Sequence, residues 1–257
     1  MPYNIIFEKI CGWFNCGNYD LAKSDLLLSF ISISKIYEYF CLLKINRAVE
    51  ECGYNFIKGS SFKYEENKYY HNTNYNNTFE YVKENQRITI YYQPVIYTNR
   101  IGRDRPNGIG LFRNTTTSIK EPTVLAILDD TPASQGSFYT PDYVLKISNG
   151  SKTNYYILDA KHSTVNNIEA YALPYLTFKY LFSISTYPNG KSVDGMCILC
   201  GKESIDISKN IYNVAQDMNI KLSTSAMFFQ ITGNDVNNNY HLVEYIKSIE
   251  RKLMTDI

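Results

Sequence analysis

Apolar positions recur at helical spacing across Ser24–Cys52, where Ile31, Leu42, Ile45, Val49 and Cys52 fall on one face. Ser24 is placed to cap that helix and Gly53 to stop it. Glu38 lies on the same face, seven residues after Ile31 and four before Leu42. No Lys or Arg is expected on that stripe nearby to neutralise it, and a carboxylate on a buried stripe needs a partner. The plain alternative is a Glu at the edge of the stripe that reaches water or a neighbouring Lys.

The pattern then changes to alternation. Residues 54–98 read as strands, with the clearest runs at Phe79–Glu84 and Arg87–Ile96, and the Asn-rich stretch 63–78 reads as an exposed loop or hairpin tip. A further strand is expected over 123–129, followed by a turn at Thr131–Gly136. Two apolar runs, Y-V-L-K-I and Y-Y-I-L-D-A-K, flank Asn149-Gly150-Ser151-Lys152, which predicts a hairpin. A helix follows from about Asn167 to Ser185, capped by Asn166 or Asn167 and kinked or divided at Pro174. Strands over Val193–Cys200 and Ile220–Ile231 and an amphipathic helix over Asn239–Met254 complete the chain. No repeat or linker interrupts it, so a single domain over 24–257 with an extension over 1–23 is expected.

The chemistry sits at the end of the hairpin. Side chains of a strand alternate between its faces, so Asp159 and Lys161 point one way while Leu158 and Ala160 point the other. Asp142 opens the partner strand, and simple register sets it beside Asp159 and Lys161. Two carboxylates and an ammonium so placed can hold a divalent metal and leave a cation beside it.

Pro141-Asp142, a hairpin, then Asp159-Ala160-Lys161 resembles the PD-(D/E)xK nuclease superfamily. Ile36–Lys44, with Glu38 after a Tyr, is similar to the Tyr-Glu helix of the nuclease subunits of McrBC-type and LlaJI-like restriction systems. The resemblance spans roughly Ser24 to Thr186 and is strongest at its first quarter and at Pro141–Lys161. It implies an α/β, restriction-endonuclease-like fold with an αβββαβ core, a mixed central sheet flanked by helices. It implies a Mg²⁺-dependent endonuclease, with Mn²⁺ able to substitute, that hydrolyses DNA within a restriction or anti-phage defence system. Glu38 would join Asp142 and Asp159 at the metal, the Ala160 carbonyl would coordinate it, and Lys161 would orient the water or stabilise the transition state. A polar residue on the next helix completes the site in such relatives, and Lys179-Tyr180 resembles that position; the plain alternative is a surface Lys. Competing readings are a non-catalytic binding module on the same fold, an RNA-directed nuclease and a zinc-stapled protein.

Composition adds limits. Among 257 residues, 44% hydrophobic content supports a core, and a net charge of +1 gives no global signal for nucleic acid. Basic charge is instead local. Residues 99–118 carry Arg100, Arg103, Arg105 and Arg113 on a loop expected to touch backbone phosphates, against a solvated loop partly neutralised by Asp104. Gly108 and Gly110 do not follow a dinucleotide-binding pattern. His71 has no companion at metal-ligand spacing, and His162 would face away from Lys161. Six cysteines at irregular spacing, with no signal peptide or membrane span evident, argue for reduced thiols and a cytoplasmic protein. Cys197 and Cys200, with Cys11 and Cys16 as a second pair, invite a zinc reading, but thiols three apart on a strand face opposite ways. DNA is the expected partner. A separate motor NTPase or other defence subunit is a further candidate, since no phosphate loop is present, and so is a second copy of the chain; no membrane is expected.

Overall fold

The computed structural model describes residues 33–60, 77–97, 109–114, 138–150, 152–201, 208–210, 225–230 and 239–255. The expected extension, Ser24, Ile31, Cys11, Cys16, His71, Arg100, Arg103, Arg105 and the strand over 123–129 lie outside these residues.

Helix α1 (Ile33–Glu51) buries Tyr37, Cys41, Leu42, Lys44, Ile45, Ala48 and Val49, a face wider than the expected stripe. It stops where Gly53 adopts φ +87°, a left-handed conformation that costs glycine nothing, and the Gly53 N–H closes on the Glu50 carbonyl at 2.9 Å. Next come β1 (Asn55–Ser60), β2 (Thr78–Lys83) and β3 (Gln86–Tyr92), each antiparallel to its neighbour. The expected long strand to Ile96 is divided. β3 ends at Tyr92, Gln93 turns out of extended geometry with φ +47°, and Pro94 has no N–H to extend the ladder before β4 (Ile96–Tyr97).

After β5 (Leu111–Arg113) and β6 (Phe138–Tyr139), β7 (Tyr143–Ser148) and β8 (Thr153–Lys161) form the predicted hairpin. Gly150 supplies φ +78° at its tip, and Asn149 closes the turn by accepting the Lys152 N–H on its side chain at 3.2 Å. A helical connection then leads through β9 (Ile184–Thr186) to β10 (Gly195–Cys200), parallel to β8. That connection is α2 (Val165–Asn167), a π-helical turn over Ile168–Ala172, α3 (Leu173–Leu176) and a second π-helical turn over Thr177–Phe182. It starts earlier than expected, because the Thr164 side chain rather than that of Asn166 or Asn167 is the cap. Pro174 sits in the first turn of α3, the position that tolerates a missing N–H, so the proline divides the helix as its chemistry requires.

β11 (Ser208–Asn210), β12 (Ser225–Gln230) and α4 (Tyr240–Thr255) follow. The main sheet runs β1-β2-β3-β7-β8-β10-β12-β11, with β8, β10 and β12 parallel and the remaining pairs antiparallel. α1 and α4 cover one face, where Cys41, Ile45, Ile246 and Ile249 meet Tyr143, Leu145, Tyr156 and Leu158. The helical connection and the small β4–β6 and β5–β9 sheets cover the other, where Ile168, Leu176 and Tyr180 meet Val144, Ile157 and Ile198. Each fully buried aliphatic side chain contributes about 1.5–3 kcal/mol to this arrangement. α1, three antiparallel strands (β3, β7, β8), a crossover helix and parallel β10 reproduce the αβββαβ order: this is the restriction-endonuclease-like fold, a mixed sheet between helices. No helix among the described residues is long and apolar enough to cross a membrane.

Candidate active site

The β7–β8 register sets Tyr143 opposite Leu158 and Val144 opposite Ile157. One step further along the same register, Asp142 stands opposite Asp159. Asp159 lies on the sheet face that the helical connection covers, where Tyr180 reaches it, while Leu158 and Ala160 join the core under α1. The alternation read from the sequence therefore holds. Asp142 Oδ2 accepts the Ala160 N–H at 2.8 Å, a bond that fixes its carboxylate at the mouth of the hairpin.

Asp159 is 2% exposed, so its charge must be compensated. Two partners do this. The Lys161 ammonium forms an ion pair with Oδ2, and the Tyr180 hydroxyl donates to Oδ1 at 3.0 Å. Lys161 also reaches the Ala160 carbonyl at 3.5 Å. Burial works to lower the Lys161 pKa, but the carboxylates of Asp159, Asp142 and Glu38 outweigh it and hold the ammonium charged. Asp142 moves the other way. Burial, then the charges of Asp159 and Glu38, raise its carboxyl to about 8 despite the opposing effect of Lys161.

Glu38 reaches the same region from α1 with its carboxylate committed elsewhere. Its Oε2 accepts from Lys35 Nζ at 2.7 Å, Gln93 Nε2 at 2.9 Å and the Tyr92 hydroxyl at 3.3 Å. The expectation that no cation lies near it is corrected here: Lys35, three residues earlier, neutralises it from the same helix face. Among the described residues no three His, Cys, Asp or Glu side chains converge closely enough to hold a metal ion. The structure thus brings Asp142 and Asp159 together and leaves Glu38 beside them, in electrostatic contact but held by other partners.

The donor set suits a hard divalent cation. Two facing carboxylates and the Ala160 carbonyl offer oxygen ligands only, and Mg²⁺ completes its shell with water when protein supplies two or three. The raised Asp142 carboxyl is the electrostatic counterpart, because an added cation stabilises its ionised form.

Lys179 is neither an ordinary surface lysine nor distant. Its ammonium lies over the rings of Tyr180 at 5.0 Å and of Tyr139 and Tyr175 at 5.5 Å each. Burial first, with Lys161 and Arg113 adding to it, lowers its pKa, while Asp159 and Asp142 oppose the shift. Arg113 departs from the exposed-loop expectation. It sits on β5, 2% exposed, with its guanidinium 4.3 Å over the Tyr139 ring. His162 packs against Tyr37 of α1, on the face away from Asp159 as expected. Cys197 and Cys200 are buried in opposite cores, so one ion cannot bridge them. Sequence reasoning did not single out Gln93 or give Tyr180 its bond to Asp159. A strand-ending Gln before Pro94 was the available signal for the first, and the second has none without the tertiary fold.

The family model described as the PD-(D/E)XK nuclease superfamily matches residues 35–131. That match spans less than half of the 257-residue chain. The match contains Glu38 and Gln93 and ends ahead of the hairpin, so it does not reach Asp142, Asp159 or Lys161. Divalent metal is typical of the superfamily. No curated protein and no solved structure matches the chain.

Proposed function

We propose that this chain is a Mg²⁺-dependent endonuclease that hydrolyses DNA, the nuclease component of a cytoplasmic restriction or anti-phage defence system with a motor NTPase as a separate chain. The observation that supports it best is the facing pair Asp142 and Asp159 with the Lys161 ammonium against them. Asp142, Asp159 and the Ala160 carbonyl would hold the cation, with Glu38 joining from α1. When bound, the cation neutralises phosphate charge and acidifies a water molecule. Asp159 is oriented for this by Tyr180, and Asp142 by the Ala160 N–H. Lys161 stays protonated and offers its charge where negative charge develops on the phosphate. Lys179, at the aromatic cluster next to Asp159, would contact backbone phosphate, and the basic run Arg100, Arg103 and Arg105 would supply further phosphate contacts. Restriction-like features of the Glu38 helix favour DNA over RNA.

Plasmid and single-stranded RNA digestion in Mg²⁺ or Mn²⁺, with and without EDTA, tests the reading. DNA cleavage that stops with chelator is expected. Cleavage of RNA alone would move the substrate, and cleavage that persists in EDTA would remove the metal mechanism.

A further inference from the structure

Gln93 is an anomaly that the site does not use. It is a non-glycine residue at φ +47°, between the end of β3 and Pro94. Such a conformation is uncommon for residues other than Gly, Asn and Asp, and it persists only where surrounding contacts hold it. Two contacts do so here. The Gln93 N–H donates to the Asp142 carbonyl at 2.8 Å, and its side-chain Nε2 donates to Glu38 Oε2 at 2.9 Å. One residue thus links the backbone of the hairpin's acidic residue to the carboxylate of the helix. At this left-handed turn the side chain meets α1 while the N–H meets Asp142, the residue before β7. The remaining partners of the Glu38 carboxylate come from its own helix or from β3: Lys35 at 2.7 Å and the Tyr92 hydroxyl at 3.3 Å. Lys35 is itself seated over the Tyr92 ring at 5.1 Å.

We propose that Gln93 is a positioning residue, which ties Glu38 to Asp142 so that a divalent cation at Asp142 and Asp159 also draws on Glu38, with Lys35 as the resident cation that Glu38 must leave. The inference rests on the metal reading of the proposed function. Gln93 touches neither cation nor phosphate; it fixes the distance from which Glu38 reaches them. Lys35 makes the same carboxylate available in two states, paired within α1 or turned toward the hairpin.

The test is Mn²⁺ alone, titrated calorimetrically into the full chain without nucleic acid, with melting curves of the same samples. Gln93→Gly is the informative variant, because glycine adopts the left-handed backbone freely and keeps the N–H to Asp142 while deleting the side chain that carries the amide. Its Mn²⁺ affinity is expected to fall about tenfold, the low end for loss of a hydrogen bond that orients a ligand. Glu38→Gln should lose a similar factor, and the double variant should lose no more than either alone, since the two act as one unit. Lys35→Met should bind Mn²⁺ more tightly. Gln93→Asn, which also accepts the left-handed turn but is one methylene too short, should resemble Gln93→Gly in affinity if the latter melts early. A folded Gln93→Gly with wild-type affinity, or multiplicative losses in the double variant, would overturn the proposal and leave Gln93 as a clamp between α1 and β3. Wild-type protein that binds no Mn²⁺ would overturn the metal reading as well, which is a different outcome.

Discussion

Asp142 is the residue whose chemistry is most exposed to conditions. Its carboxyl is raised from 3.8 to about 8 in the fold, first by burial and then by Asp159. The folded chain therefore keeps a proton that the unfolded chain has already released. That contribution favours folding fully below about pH 4 and is lost as pH rises toward 8. Asp142→Asn should accordingly raise Tm at pH 8 by roughly 2–4 °C, the shift expected of about 1 kcal/mol in a chain of this size, and should abolish cleavage. A fall in Tm on that substitution would show that the carboxylate is stabilised rather than strained by its neighbours. The same shift predicts that cation affinity climbs with pH up to about 8, because binding displaces the Asp142 proton. Tyr180 supplies the second residue-level expectation. Tyr180→Phe removes the 3.0 Å bond to Asp159 and should cost about 1 kcal/mol in denaturant unfolding. It should also lower kcat with KM little changed, since Asp159 loses its orientation. Asp142, Asp159 and Lys161 were legible because period-two alternation and a turn signal at Asn149-Gly150 place them without tertiary information. Lys35 was equally legible, three residues before Glu38 on one helix. Tyr180 and Gln93 were not, because their roles come from contacts 21 and 55 residues away in sequence.

At the scale of elements, the sequence yields periodicities well and interruptions poorly. α1 and the β7–β8 hairpin repeat one pattern over their described length, and the end of α1 at Gly53 and the hairpin turn at Gly150 stand where that pattern puts them. The connection between β8 and β10 was readable only as a helix with a proline in it. It contains two π-helical turns, and from the second Tyr180 reaches Asp159 while Ile168 and Leu176 stay buried against the sheet. The cap moved to Thr164, whose hydroxyl accepts the Asn167 N–H at 3.4 Å. Thr164→Ala should then cost about 1 kcal/mol of stability and shift the start of the connection, a loss that denaturant unfolding would detect. β10 carries another element-level expectation. Cys197 and Cys200 point into opposite cores, so metal analysis of protein purified without added zinc should show far less than one equivalent bound through them. Stoichiometric zinc that disappears on substituting either cysteine would contradict the register of β10.

Across the whole molecule, the sheet acts as a partition. α1 and α4 on one face build the core that anchors Glu38's helix, and the helical connection on the other brings Tyr180 and Lys179 to the carboxylates. The acidic pair lies where the antiparallel β7–β8 ladder gives way to the parallel β8–β10 pair, so the architecture concentrates charge at one end of three central strands. Lys161 and Asp159 form the centre of that arrangement. The most direct measurement is cleavage of supercoiled plasmid by purified Asp159→Ala and Lys161→Ala beside wild type, in Mg²⁺ and in EDTA, with melting curves to confirm folding. Wild type should show Mg²⁺-dependent cleavage and both variants none, with Asp159→Ala melting at or slightly above the wild-type temperature and Lys161→Ala below it, because that variant leaves Asp159 buried without its ion-pair partner. Either variant folding and cutting at the wild-type rate would contradict this account.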